Sequence, residues 1–191
     1  MTQKILILGA GAWGTAVSQL LADNGHQVTL WSFEADVADH INSKHTNHKY
    51  LPDVMLSERI TATADLRAAL AGATWIFCAV PSTHLRSVLS DVKQQSPVAA
   101  AARWVMMTKG IEQQTLLLPT HVLNEVFQTT VNCAVLAGPN FAVELVQRAL
   151  TATTIASTDQ RLLNDLAVLV SNNYFTTVPS SDLIGVQLGG A

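Results

Sequence analysis

The chain has 191 residues, 49% of them hydrophobic, with a mean hydropathy of +0.27, so it can bury a full core as one domain, or one domain and part of another. Only 13% of residues are charged and the net charge is −3, which excludes the basic field that nucleic acid or an anionic membrane surface would require. No apolar run reaches the roughly 20 residues of a membrane span, and Lys4 precedes a short apolar run and then glycines, not a signal-peptide cleavage site.

In chain order, short apolar strands alternate with helical stretches. Strands are expected near Ile5–Leu8, Gln27–Trp31, Trp75–Val80, Trp104–Thr108, Ala134–Ala137, Thr153–Ala156 and Phe175–Val178. Helices are expected near Gly14–Asn24, Glu34–Ser43, Ala64–Leu70, Thr83–Gln95, Leu116–Phe127, Phe141–Gln147 and Gln160–Ser171. Gly25 suits a helix C-terminus and Thr158 or Asp159 an N-cap. Near-continuous apolar strands alternating with helices predict an α/β fold, a doubly wound and mainly parallel sheet covered on both faces. Cys78 and Cys133 lie in apolar strand-like runs and are expected as buried thiols in a reducing compartment, the cytoplasm.

In such folds ligands sit beyond the carboxyl ends of the strands. After the first strand comes Gly9-Ala10-Gly11-Ala12-Trp13-Gly14, and a helix follows at once. Three spaced glycines alone are a weak signal, but this strand–turn–helix setting is that of the dinucleotide fingerprint. Gly9 allows the tight turn, Gly11 lets a pyrophosphate approach the backbone, and Gly14 lets the helix pack on the sheet. The helix N-terminus offers free N–H groups to the phosphates. NADP(H) or NAD(H) is the expected cofactor.

After the second strand, Ser32 and Phe33 stand where a ribose-binding carboxylate is usual. Glu34 could swing in to that place but is expected on the next helix, and Phe33 either stacks on an adenine or packs on a helix. With neither a clear carboxylate nor an arginine there, tolerance of NADP(H) is expected. After Trp75–Val80, Pro81 ends the strand and walls the nicotinamide side, with Ser82 or Thr83 as the next helix cap. After Trp104–Thr108, Lys109 stands at the mouth of the cleft, where a cationic donor can hold a phosphate or polarise a carbonyl; a solvated loop lysine is the plainer reading. After Ala134–Ala137, Gly138 permits close backbone approach, and Asn140 either caps the next helix or presents its amide to a substrate. His40, His45 and His48 fit no common zinc spacing, so no metal is expected; His84 and His121 stand alone.

Several of these segments occur together and in order: the glycine turn with Thr15 and Ala16, Tyr50-Leu51-Pro52, Val80-Pro81-Ser82, Thr108-Lys109-Gly110-Ile111-Glu112, Gly138-Pro139-Asn140-Phe141-Ala142-Val143-Glu144 and Gly185-Val186-Gln187-Leu188-Gly189-Gly190-Ala191. They resemble the bacterial NAD(P)-dependent sn-glycerol-3-phosphate dehydrogenase family over the whole chain. The resemblance implies reversible hydride transfer from NAD(P)H to dihydroxyacetone phosphate, giving sn-glycerol 3-phosphate for phospholipid synthesis. Beside Gly9, Gly11, Gly14 and Pro81 read above, it implies cofactor contacts at Ala12, Trp13, Phe33, Lys109 and Ala142, and substrate contacts at Lys109, Gly138 and Asn140. It leaves a homodimer open.

Two departures stand out. Family members usually carry Gly-x-Pro-Thr where this chain has Arg148-Ala149-Leu150-Thr151, so a reshaped turn is expected. The resemblance also places a general acid/base lysine, and an all-helical domain, beyond Ala191. Asp182 reads as an N-cap for a helix through Leu183, Val186 and Leu188. The expected organisation is therefore a cofactor domain over residues 1–181 and the start of a second domain over 182–191, inactive alone. A non-catalytic dinucleotide-binding sensor is the alternative, against which Lys109 and the Gly138-Pro139-Asn140 turn argue.

Overall fold

Strand β1 (Ile5–Leu8) divides its side chains between two cores. Ile5 and Ile7 join one hydrophobic cluster and Leu6 and Leu8 the other, and all four are buried. This period-two division explains why the strand reads as an unbroken apolar run: helices cover both faces. The computed structural model describes residues 3–190. The first two residues of the expected 1–181 unit, and Ala191 at the end of the glycine-rich motif, lie outside the described residues.

The remaining strands are β2 (Val28–Trp31), β3 (Ile60–Thr63), β4 (Trp75–Cys78), β5 (Arg103–Met106), β6 (Cys133–Ala137), β7 (Thr151–Ala156) and β8 (Phe175–Ser180). The helices are α1 (Ala12–Asp23), α2 (Ala35–Lys44), α3 (Leu66–Leu70), α4 (Ser82–Gln95), α5 (Pro119–Phe127), α6 (Ala142–Val146), α7 (Gln160–Val170) and α8 (Leu183–Gly189), with a 3-10 turn over Pro97–Ala101. One sheet runs in the order β3-β2-β1-β4-β5-β6-β7-β8. Every neighbouring pair is parallel except β6 and β7. The order reverses between β1 and β4, which is where such a sheet opens a crevice for ligand.

The strand β3 was not expected. Its residues, Ile-Thr-Ala-Thr, alternate for only four positions, with Ile60 and Ala62 buried and Thr61 exposed. Its outer edge is closed from α2: Asn42 Nδ2 donates to the Ala62 carbonyl and Asn42 Oδ1 accepts from the Ala62 N–H, both at 2.8 Å. A side-chain amide here substitutes for another strand and blocks edge pairing. The reversal at β7 has a length cause. Five residues of α6 span about 7.5 Å, too little to return along the sheet, so the chain re-enters antiparallel.

Helix ends follow local chemistry closely. The end of α1 carries paired bonds, from the Gly25 N–H to the Ala22 carbonyl and from the His26 N–H to the Leu21 carbonyl, as a Schellman cap requires. Asp159 caps α7 through Arg161 and Leu162 N–H, and Asp182 caps α8 through Gly185 N–H at 2.8 Å. Three expectations fail. Pro81, not Ser82 or Thr83, is the N-cap of α4, and no side chain caps it. Helix α5 starts at Pro119 instead of Leu116, because Leu116 has a left-handed φ of 59° and proline suits the first turn. Phe141, not Asn140, precedes α6 as its N-cap.

The reshaped turn after α6 puts Arg148 itself at φ 57°. Its guanidinium pairs with Asp23 of α1, bonding the carboxylate at 3.0 and 3.2 Å. Tyr174 Oη donates to the same carboxylate at 2.8 Å. Burial pushes the Asp23 carboxyl up, but hydrogen bonds from Arg148, Tyr174 and Gln19 outweigh it and leave it below the usual value. Both cysteines are buried and free, and burial raises each thiol to about 11, so neither is a nucleophile at neutral pH. Among the described residues no helix is long and apolar enough to cross a membrane.

Candidate functional site

The carboxyl ends of the central strands are tied together by backbone bonds: the Gly9 N–H to the Trp31 carbonyl, the Ala79 N–H to the Leu8 carbonyl, and the Met107 N–H to the Cys78 carbonyl. These bonds align the segments that leave β1, β2, β4 and β5 along one rim. The glycine turn lies at the reversal point. Gly9 has φ +107° and packs against the Ala79 carbonyl, where a Cβ would come to 3.0 Å. At Gly14 a Cβ would lie 1.9 Å from the Gly9 carbonyl oxygen, so only glycine lets α1 start so close to the turn. At Gly11 nothing lies within 4 Å of a would-be Cβ. That space faces the N-terminus of α1, whose first N–H groups have no intrahelical partner. The tight turn at Gly9 and the close helix start at Gly14 are thus as expected, and Gly11 leaves open space at the N-cap of α1.

A buried amide from a distant loop braces this turn. Asn47 is fully buried; its Nδ2 donates to the Ala10 carbonyl and to Thr15 Oγ1, both at 2.8 Å, and its Oδ1 accepts from the Tyr50 N–H at 3.1 Å. These bonds fix the Ala10 carbonyl and the first turn of α1 relative to the loop that carries Asn47. Nothing in the local sequence marks Asn47, which lies 32 residues from Thr15.

Next to the glycine turn is a cleft lined by Trp13, Met107, Lys109, Gly138, Asn140 and Gln187, with backbone from β5 and β6. The structure thus brings together Trp13, Lys109, Gly138 and Asn140, which the sequence placed on three different strand ends. Lys109 is exposed at its mouth and is the one titratable side chain among the described lining residues. The loop that carries it is clamped from behind. Glu112 is buried, and its carboxylate takes a bidentate pair from Arg86 of α4 at 2.8 Å on each oxygen. Thr115 Oγ1 donates to the same carboxylate. Arg86 and then Thr115 hold the Glu112 carboxyl below its ordinary range. Arg86, which no local pattern flagged, also bonds Glu125 at 3.0 Å.

Asn140 is nine-tenths buried. Its Nδ2 donates to the Ala152 carbonyl at 2.9 Å, which fixes the amide orientation, because only the nitrogen can donate. Its Oδ1 is then buried with no partner. An unpartnered buried acceptor in a cleft calls for a donor from a ligand, and a substrate hydroxyl is such a donor. Gly138 makes room for it: a Cβ there would meet Asn140 Oδ1 at 2.9 Å. The helix α8 closes the far side, with Gln187 buried and bonded to the Thr120 N–H and the Leu183 carbonyl. Gly190 sits against Ala137, where a Cβ would approach to 2.7 Å.

The other expected residues lie apart from this cleft. Pro81 starts α4 on the rim, and Ala142 opens α6 and packs partly on the core. Phe33 stands at the β2 end, 86% exposed, so it does not pack on a helix. Glu34 is not within α2 but is its extended N-cap, and its carboxylate bonds Lys49 and, at 2.6 Å, Tyr50 Oη.

A doubly wound sheet with a glycine turn at its reversal point, and a cleft beside it, defines a dinucleotide-binding domain of the Rossmann type. Residues 4–163 match the family model described as NAD-dependent glycerol-3-phosphate dehydrogenase N-terminus, and the chain belongs to that family. It is similar to the glycerol-3-phosphate dehydrogenases [NAD(P)+] of Halorhodospira halophila (39% identical over 191 residues, all of this chain and 56% of the relative) and Maricaulis maris (42% over 189 residues, 99% and 56%). Among solved structures it resembles the glycerol-3-phosphate dehydrogenase of Coxiella burnetii, with 33% identity, a TM-score of 0.91, and coverage of 99% of this chain and 57% of that one. The chain therefore spans just over half the length of these relatives and corresponds to their N-terminal, cofactor-binding half.

Proposed function

We propose that this chain binds NAD(P)H on the Gly9–Gly14 turn and contributes the Lys109–Asn140 side of a cleft in which dihydroxyacetone phosphate is reduced to sn-glycerol 3-phosphate, a cytoplasmic step of phospholipid synthesis. The observation that carries this reading is the open space at Gly11 combined with the unpartnered Asn140 Oδ1 across the same rim. When bound, the cofactor would supply the hydride that adds to the C2 carbonyl carbon, and the alkoxide so formed would take up one proton from a general acid or water to give the alcohol. Gly11, Ala12 and Trp13 present backbone N–H groups to the pyrophosphate. Lys109, as a fixed-charge donor at the mouth, draws the substrate in and favours the developing negative charge on the carbonyl oxygen. Asn140 Oδ1 accepts from a substrate hydroxyl, and Gly138 leaves its approach clear. Phe33, Pro81 and Ala142 flank the cofactor path at the ends of β2, β4 and β6.

The test has two readouts. Titration of the chain with NADH and with NADPH, followed by nucleotide fluorescence, should saturate for at least one of them. With cofactor present, dihydroxyacetone phosphate should shift the amide resonances of Gly110 and Gly138, and Lys109→Ala should abolish the shift while leaving cofactor binding within about threefold. Absence of saturable cofactor binding overturns the first assignment; unmoved Gly110 and Gly138 resonances overturn the second.

A further inference from the structure

Resting on the substrate reading above, we infer that Arg86 is a positioning residue for that site: it holds the Glu112 carboxylate away from Lys109, so that the lysine ammonium stays free for the phosphorylated substrate. Lys109 and Glu112 are three residues apart in one loop. Their Cα atoms can be no more than about 11 Å apart, a span that two long side chains bridge.

Twelve residues separate β5 from α5 without helix or strand. Connections of that length are usually functional or mobile, and this one is ordered by ties to the β4–α4 segment. Before Lys109, Thr108 Oγ1 donates to the Val80 carbonyl at 2.8 Å. After it, Gly110 turns at φ +86° beside Ser82, and Glu112 is gripped through both oxygens by Arg86 Nε and Nη2. The backbone folds round this grip: the Glu112 N–H donates to the Leu117 carbonyl at 3.0 Å, and the Glu112 carbonyl accepts from the Leu116 N–H at 2.8 Å. The outcome is a separation of charges. Lys109 is exposed and lines the cleft, whereas Glu112 is buried and is not among the described lining residues. None of the ion pairs among the described residues involves Lys109.

Without Arg86, the Glu112 carboxylate keeps only the Thr115 hydroxyl as a side-chain donor. An ionised carboxyl left buried with so little compensation is driven outward. Lys109 is the only lysine or arginine between Arg103 and Arg148. On α4, Lys93 is already bonded to the Val126 carbonyl at 2.8 Å. The released carboxylate therefore pairs with Lys109 and takes from the cleft the one fixed cation it has. Glu125, which shares Arg86, is exposed on α5 and stays solvated.

The test titrates dihydroxyacetone phosphate into the chain saturated with NADH or NADPH and reads the dissociation constant from the Gly110 and Gly138 amide resonances. Wild type, Arg86→Ala and the double variant Arg86→Ala/Glu112→Gln are compared. Arg86→Ala should weaken substrate binding about tenfold, the weight of one charge-assisted bond, and leave cofactor binding within about threefold. The double variant removes the competing anion and should return substrate binding to within about threefold of wild type. A purely structural clamp gives no such recovery, because the double variant lacks both of its halves. If Arg86→Ala does not fold, Arg86→Lys, which keeps the charge but not the fork, is compared with Arg86→Lys/Glu112→Gln in the same way. Wild-type substrate affinity in the single variant overturns the inference, and so does a double variant as weak as the single one. A wild type that binds cofactor but not dihydroxyacetone phosphate overturns the substrate reading itself, and this inference with it.

Discussion

Gly11 and Gly14 are three residues apart in one turn, yet replacing each with alanine should have opposite consequences. In Gly14→Ala the new Cβ meets the Gly9 carbonyl oxygen at 1.9 Å. Both atoms are anchored to backbone, and real Cβ contacts essentially never fall below 3.0 Å, so α1 and the turn must part by more than an ångström. Overpacking that no side-chain rotation can relieve costs about 1–3 kcal/mol or more. Parting the turn from the helix also disperses the N–H groups that should meet the phosphates, so affinity falls with stability. In Gly11→Ala the new Cβ meets nothing within 4 Å, and the backbone (φ −67°, ψ 178°) suits alanine. Alanine lowers the entropy of the unfolded chain, worth about 0.4–1 kcal/mol. It is a poorer N-cap than glycine, which costs a similar amount. Stability should therefore stay within about 0.5 kcal/mol of wild type. The methyl group would fill the space proposed for the pyrophosphate, so affinity for NADH should fall at least about tenfold. Urea unfolding and fluorescence titration on the same samples measure both quantities. Normal cofactor binding by Gly11→Ala would refute the placement of the phosphate, and wild-type stability of Gly14→Ala would refute the steric reasoning.

Two further predictions concern charge. Arg86→Ala strands the buried Glu112 carboxylate and should cost about 1–2 kcal/mol, below the 3–5 typical of fully buried pairs because Arg86 is 36% exposed. Arg86 lowers the carboxyl's folded-state value, so the pair stabilises the fold above the ordinary glutamate value near ~4.3 and ceases to do so as pH falls below it. The Arg86→Ala deficit in urea unfolding should accordingly shrink at about pH 3.5; an equal deficit at pH 7 would mean that packing, not charge, is what Arg86 supplies. Arg148→Ala removes the pair with Asp23 while keeping the left-handed backbone. Because the Asp23 carboxyl is held low in the fold, its contribution is present above about pH 4 and lost below. Wild type and Arg148→Ala should therefore differ in unfolding midpoint at pH 7 and converge at about pH 3, and a persistent gap at low pH would contradict the assignment.

Much of this molecule was legible in its residues because the determining forces act over a few positions. The Gly25 helix end and the Asp159 and Asp182 caps each satisfy backbone groups within five residues of themselves, and the glycine turn is spelled out in six consecutive residues. The apolar runs of β1, β4 and β5 declared strands buried on both faces. Folding alone decided what depended on distant partners. Four residues of β3 had too short an alternation to register, and they are a strand because β2 lies on one side and the Asn42 amide on the other. The antiparallel entry of β7 follows from the shortness of α6. Asn140 read as a cap or a ligand-facing amide; its side chain caps nothing in the fold and is anchored on the cleft wall by the Ala152 carbonyl, 12 residues on. Glu34 was expected inside a helix; its bonds to Lys49 and Tyr50, 15 and 16 residues away, hold it instead at the end of β2. Local sequence determined which elements form and where phosphate-binding backbone is exposed. The tertiary structure determined which buried or charged side chains are left with unused bonding capacity, since that depends on what the rest of the chain brings to them.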